Sequence, residues 1–186
     1  MLNILNPNSF LPTKMRSTKL SLSSYHLGHD KIEMTRAIQS IMPHNFPQTL
    51  IRRAKEEVWY EAKELLGLPL VAKEIRSSCG RGVVLLEDIS QFRDYLAGKE
   101  ILYLQEYLPL DRDLRVVIIG KEAISAYWRI NPHNLLHNIA QGGTISYDHI
   151  PTDVVLKVVE LANKLGIDNA GFDVGVVDNF PYIWEF

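Results

Sequence analysis

Three charged residues stand out because each interrupts an apolar run. Asp173 lies inside Gly171-Phe172-Asp173-Val174-Gly175-Val176-Val177, and Glu185 follows Tyr182-Ile183-Trp184 after a turn. Both segments read as short strands of one hairpin. Residues facing each other across a hairpin lie ~5 Å apart, and two carboxylates that close repel unless a cation lies between them. Hard oxygen ligands of this kind suit Mg²⁺ when phosphates complete its shell. The plainer alternative is a pair of edge-strand acids facing solvent. Lys73 ends the apolar Leu70-Val71-Ala72 and leads into Ser77-Ser78-Cys79-Gly80-Arg81-Gly82. A charge there is costly unless an anion offsets it; the alternative is a lysine on the open face of a half-buried strand. Ser78, Gly80 and Gly82 belong to a loop whose backbone N–H groups can approach an anion, since glycine has no Cβ in the way. The same composition also serves as a simple hairpin turn. It is not a P-loop, because the G-x-x-x-x-G-K-[ST] order is absent.

Arg115 and Arg129 each sit in a strand flanked by apolar residues. A planar guanidinium fork suits phosphate or carboxylate, and surface salt bridges are the alternative use. Cys79 has no evident His and acid partners in sequence and reads as a small loop filler. The histidines fall in polar loops and receive no role.

Residues 1–29 are poorly patterned and read as an irregular or partly disordered lead-in. Asp30 caps a helix that runs to about Met42, with Glu33 placed for a capping box. Thr49 is the next cap, and the apolar spacing from Leu50 to Leu66 predicts one helix stopped by Gly67. Strands are expected at 69–73, 82–86 and 101–107, with a short helix from Asp88 to Leu96. Strands at 114–119 and 123–129 meet at Gly120-Lys121, a polar loop spans 131–147, and Thr152 starts a helix that Gly166 ends. The many hairpins make this an α+β chain rather than an alternating βαβ one.

The chain has 186 residues, 46% of them hydrophobic, which suits one or two small globular units. Its net charge of −2 gives no reason to expect a nucleic-acid or membrane-surface partner. No run approaches the ~20 apolar residues of a membrane span. The single cysteine cannot form an internal disulfide, so a cytoplasmic setting is the default.

Taken in order, these segments resemble the ATP-grasp superfamily, and within it the RimK-type carboxylate–amine ligases, over residues 30 to 186. Asp30-Lys31, Leu70–Lys73 with its glycine loop, Leu104–Leu108, Asp113-Leu114-Arg115, Asn138 with Gln141-Gly142-Gly143, Ala170–Asp173 and Glu185 carry the resemblance. It implies an ATP-grasp fold of two α+β subdomains clasping ATP, with 30–108 as the smaller subdomain and 109–186 as an incomplete larger one. It further implies that Lys31 and Lys73 touch the phosphates. Gln105, Glu106, Tyr107 and Leu108 form the hinge strand beside the adenine, and Asp113 lies near the ribose. Arg115 and Arg129 stabilise the transferred phosphoryl group, Asp173 and Glu185 hold Mg²⁺ (or Mn²⁺), and Asn138 stands beside the substrate. The implied reaction is ATP-dependent amide formation between a carboxylate and an amine, such as an amino acid, a peptide or a protein C-terminus, through an acyl phosphate. Relatives commonly form homo-oligomers. A non-catalytic nucleotide-binding module, or a kinase acting on a hydroxyl, are the other readings.

The chain departs from the family pattern in three places. The asparagine of Glu-x-Asn falls beyond Phe186, Leu136 stands where many relatives carry arginine, and about 30 unpatterned residues replace an N-terminal α/β domain. A chain truncated at both ends is therefore expected. Its final strand is expected to expose Trp184 and Phe186 at an edge.

Overall fold

The computed structural model describes residues 27–77, 82–131 and 143–186. Helix α1 spans Lys31–Ile41, and the Asp30 carboxylate accepts from the N–H groups of Ile32 (3.0 Å) and Glu33 (3.4 Å). That satisfies two of the helix's orphan donors. Glu33 turns toward Arg36 (3.0 Å) rather than completing a capping box.

The single helix expected from Leu50 to Leu66 is two elements: strand β1 (Thr49–Arg53) and helix α2 (Val58–Leu66). Leu50 is buried and the two arginines point out, so the segment fits a half-buried ladder. Its pairing with β4 (Ile101–Glu106), from Thr49↔Gln105 to Arg53↔Ile101, overrides the helical spacing of Leu50, Ala54 and Val58. Gly67 closes α2 at φ 76°. Strands β2 (Leu70–Lys73) and β3 (Val83–Leu86) form the expected hairpin, and Asp88 caps helix α3 (Ile89–Leu96). These strands make an antiparallel sheet in the order β1-β4-β2-β3. Leu70, Ala72, Leu102 and Leu104 bury one face against Trp59, Ala62 and Phe92. Alternation then sends Lys73, Tyr103 and Gln105 to the opposite face.

The second antiparallel sheet runs β7-β6-β5-β8-β9. Its strands are β5 (Arg112–Ile119), β6 (Glu122–Ile130), β7 (Thr144–Ser146), β8 (Asn169–Val177) and β9 (Phe180–Glu185). Strand β7 lies where only a loop is expected from sequence. Helix α4 (Thr152–Leu165) ends at Gly166, whose left-handed backbone (φ 69°) lets its N–H return to the last turn. Leu114, Val116, Trp128, Phe172, Val174 and Ile183 pack one sheet face against α4.

Met34 and Ile38 of α1 enter this second core. The first helix of the span 30–108 therefore packs on the larger sheet through these two residues. The terminal aromatics are also packed rather than exposed. Phe186 stacks on Phe172 with ring centroids 5.1 Å apart, and Trp184 lies over Gly175. Among the described residues no helix is long and apolar enough to cross a membrane.

Candidate active site between the two sheets

The polar faces of the two sheets meet through α1. Its first residue, Lys31, is buried and donates through Nζ to the Ser77 carbonyl oxygen (2.7 Å), beside the glycine loop. The same Nζ lies 3.7 Å from Glu185 Oε1 at the end of β9. Lys31 therefore joins the small-sheet hairpin to the acid of the large sheet. One turn on, Thr35 donates to the Lys31 carbonyl (2.6 Å), which leaves the Tyr103 hydroxyl as donor to Thr35 (2.7 Å). Burial pushes the Tyr103 phenol up to about 12, against the opposing hydrogen bonds from Thr35 and Thr49, so it stays a neutral donor.

Lys73 is 9% exposed, and its ammonium donates to Gln105 Oε1 (2.6 Å). Gln105 in turn donates to Thr49 Oγ1 (2.9 Å). A neutral amide is a weak substitute for water around an ammonium ion. Burial accordingly pulls the Lys73 pKa down to about 8, with Glu185 and Asp173 raising it and Lys31 lowering it. Lys73 thus lies within electrostatic range of both carboxylates, and together they do not offset its burial.

On the large sheet, one row of register partners carries the chemistry: Tyr127↔Arg115, Arg115↔Asp173 and Asp173↔Glu185. The last pairing depends on a bulge. From Phe180 to Ile183 the ladder is regular, with Val174 opposite Ile183; the next pair is Asp173 and Glu185. Trp184 is the extra residue. Without the bulge, Trp184 would face Asp173; with it, the two carboxylates share a face.

Asp173 is the hub of the row. It pairs with Arg115 and with Arg129 (2.9 Å). Asp113, expected beside the ribose, is 4% exposed, and its two oxygens accept from the Arg129 fork at 2.7 and 2.6 Å. Burial works against the Arg129 charge, but the Asp113 hydrogen bonds and the Asp173 charge outweigh it and raise its pKa. Lys31, Lys73, Arg115 and Arg129 set four positive charges against the three of Asp113, Asp173 and Glu185. The balance favours an anionic ligand.

Gly171 supports this arrangement in a way its sequence does not announce. It lies two residues before Asp173 on the same sheet face, and a Cβ there would strike the Arg115 guanidinium. The bare backbone is a slot in which Arg115 lies flat. Gly171→Ala is expected to push Arg115 off Asp173 and to cost about 1–3 kcal/mol of stability. Denaturant titration of a double-mutant cycle with Arg115→Ala measures this, and the glycine substitution should cost little once the arginine is gone.

The hinge residues have mixed positions. The Glu106 carboxylate accepts from the Gln48 N–H (2.7 Å), and the Glu106 N–H donates back to the Gln48 carbonyl (2.9 Å). Tyr107 and Leu108 follow, half-buried. Beyond them Leu110 meets Trp184 over Gly175, an apolar surface next to the acids. Gly82 takes φ 71° at the foot of the hairpin, where a Cβ would meet Glu74. Ser78, Gly80 and Asn138 lie outside the described residues.

The acids fit a divalent ion that is held jointly with a ligand. Among the described residues no cluster of three or more His, Cys, Asp or Glu could hold a metal by itself. One or two carboxylates plus phosphate oxygens is a common Mg²⁺ arrangement.

The α-aminoadipate–LysW ligase LysX of Sulfurisphaera tokodaii is 30% identical over 154 residues, covering 73% of this chain and 54% of that protein. A probable α-L-glutamate ligase of Azotobacter vinelandii is 28% identical over 126 residues, covering 64% and 42%. Among solved structures, the RimK-domain ATP-grasp protein of Sphaerobacter thermophilus superposes with a TM-score of 0.68 at 19% identity, covering 88% of this chain and 60% of that one. D-alanine–D-alanine ligase of Bacillus anthracis shares the fold at a TM-score of 0.65 and 16% identity, covering 89% and 58%. The chain spans about half the length of the curated relatives it matches. Residues 28–186 match the RimK-like ATP-grasp domain, and the chain belongs to that family.

Proposed function

We propose that this chain binds Mg·ATP between its two sheets and activates a carboxylate as an acyl phosphate, which an amine then attacks to give an amide and phosphate. The observation that carries this reading is the meeting of Lys31, tied to the glycine-loop hairpin, with Glu185, tied through its register to Asp173, Arg115 and Arg129.

Phosphoryl transfer needs little covalent help from the protein; position and charge do the work. Lys31 and Lys73 bind phosphate oxygens from the small-sheet side. Lys73 gains most, because an anion replaces its neutral Gln105 partner. Asp173 and Glu185 would hold Mg²⁺, which supplies positive charge as the γ-phosphate is transferred. Arg115 and Arg129 face the transferred group, held in place by Asp173 and Asp113. Leu110 and Trp184 offer a flat apolar surface to the base near hinge residues 105–108. Enclosure between the two sheets would keep water from the acyl phosphate.

The test is hydroxylamine trapping. Mg·ATP is incubated with the protein, a panel of carboxylates and hydroxylamine, and ADP and hydroxamate are measured. Both should form, in matching amounts and only with Mg²⁺. ATP binding without either product would indicate a non-catalytic module, and a stable phosphate ester would indicate a kinase.

A further inference from the structure

The row that carries Asp173 and Arg115 continues to Tyr127, to which the ligase reading gives no role. Tyr127 is the register partner of Arg115, and Ile145 is the partner of Arg129. Two residues past Ile145, and so on the same face, Tyr147 meets Tyr127 with ring centroids 5.9 Å apart at 57°. Tyr147 is 56% exposed and Ile145 47% exposed. Three apolar surfaces therefore form an open corner at the end of the row furthest from Glu185.

Spacing says what lies against it. Strands are ~4.8 Å apart, so Tyr127 stands ~10 Å from Asp173 with Arg115 between them. A carboxylate that accepts a phosphoryl group near Asp173 must rest beside Arg115. Where the remainder of that molecule lies along the row away from Glu185, it reaches β6 and β7. Among the described residues of those two strands the cation is Arg129, whose Nε and Nη2 are held by Asp113 and Asp173 and which the ligase reading assigns to the transferred phosphoryl group. A second carboxylate on the substrate would meet tyrosine faces and isoleucine there, and an apolar or aromatic group would meet a matching surface.

We propose that Tyr127, Tyr147 and Ile145 form the subsite for the body of the carboxylate substrate, and that this substrate carries an aromatic or bulky apolar group rather than a second acid. The proposal rests on the ligase reading and narrows its substrate class.

The full chain, saturated with Mg·ADP, is titrated with 3-phenylpropionate, L-phenylalanine, L-alanine and L-glutamate by ligand-observed NMR. Mg·ATP binding is measured in parallel. The aromatic carboxylates should bind about ten-fold tighter than glutamate, the value of one good aromatic contact. Tyr127→Ala should remove that preference. Tyr147→Ala, at a mostly exposed position that tolerates truncation, should reduce it. Glutamate binding as tightly as the aromatic acids, or a preference that survives both substitutions, overturns the subsite while Mg·ATP binding persists. Failure of Mg·ATP to bind overturns the ligase reading and the subsite with it.

Discussion

Lys73→Met is expected to strengthen the fold and weaken nucleotide binding together. In the folded protein the ammonium is buried against one amide oxygen, and its pKa falls from 10.5 to about 8. The unfolded chain therefore holds more protons than the folded one between those values, and stability rises with pH across that window. Below pH 8 the full penalty applies, about 3 kcal/mol for a shift of this size. Methionine removes it, while Gln105 Oε1 loses a donor at a cost of about 1–3 kcal/mol. A net gain of about 1 kcal/mol at pH 7 is expected, and it should vanish or reverse by pH 10. Denaturant unfolding at the two pH values measures it, and equal differences at both would show that Lys73 carries no burial penalty.

The same residue should reveal itself in binding. A triphosphate beside Lys73 raises its pKa, so Mg·ATP binding near pH 8.5 should take up protons. Calorimetry in two buffers of different ionisation heat detects that uptake, and Lys73→Met should abolish it. Loss of one charge-assisted hydrogen bond should weaken ATP roughly ten- to hundred-fold.

Much of this site is legible in sequence because it is written as violations of pattern. Lys73, Asp173, Arg115 and Arg129 are charges inside apolar strands, and each lies on the polar face where the sheets meet. Helix ends are legible for a similar reason: Asp30, Asp88, Gly67 and Gly166 have local chemistry that works without tertiary help. The strand Thr49–Arg53 is not legible, because its identity comes from pairing with residues some fifty positions away. The bulge at Trp184 is hidden too. Their separation of 12 positions along one hairpin suggests that Asp173 and Glu185 can face each other, but only the extra residue aligns them. Gly171 looks like a packing glycine until Arg115 is seen lying across it. The membership of α1 depends on which core Met34 and Ile38 enter, and amphipathic spacing is silent on that.

Asp173→Asn is expected to act on stability with the opposite sign to Lys73→Met. The change nearly preserves shape and removes one charge. Arg129 keeps Asp113, but Arg115 loses the carboxylate it is paired with. Removing one partner of a buried pair costs about 3–5 kcal/mol, reduced here to about 2 because the Arg115 side chain is 30% exposed. The Mg²⁺ dependence of ATP affinity should collapse as well, since Glu185 alone remains to hold the ion with the phosphates. Calorimetric titration of ATP with and without Mg²⁺ measures that ratio. The pair of variants separates two accounts of the network. If these charges only brace the sheets, both substitutions destabilise and neither bears on ATP. If the network is a binding site held ready for an anion and a cation, the buried lysine strains the empty protein, the aspartate relieves it, and both are needed once Mg·ATP arrives. A destabilised Lys73→Met protein together with an Asp173→Asn protein that keeps its Mg²⁺ dependence would decide for the first account.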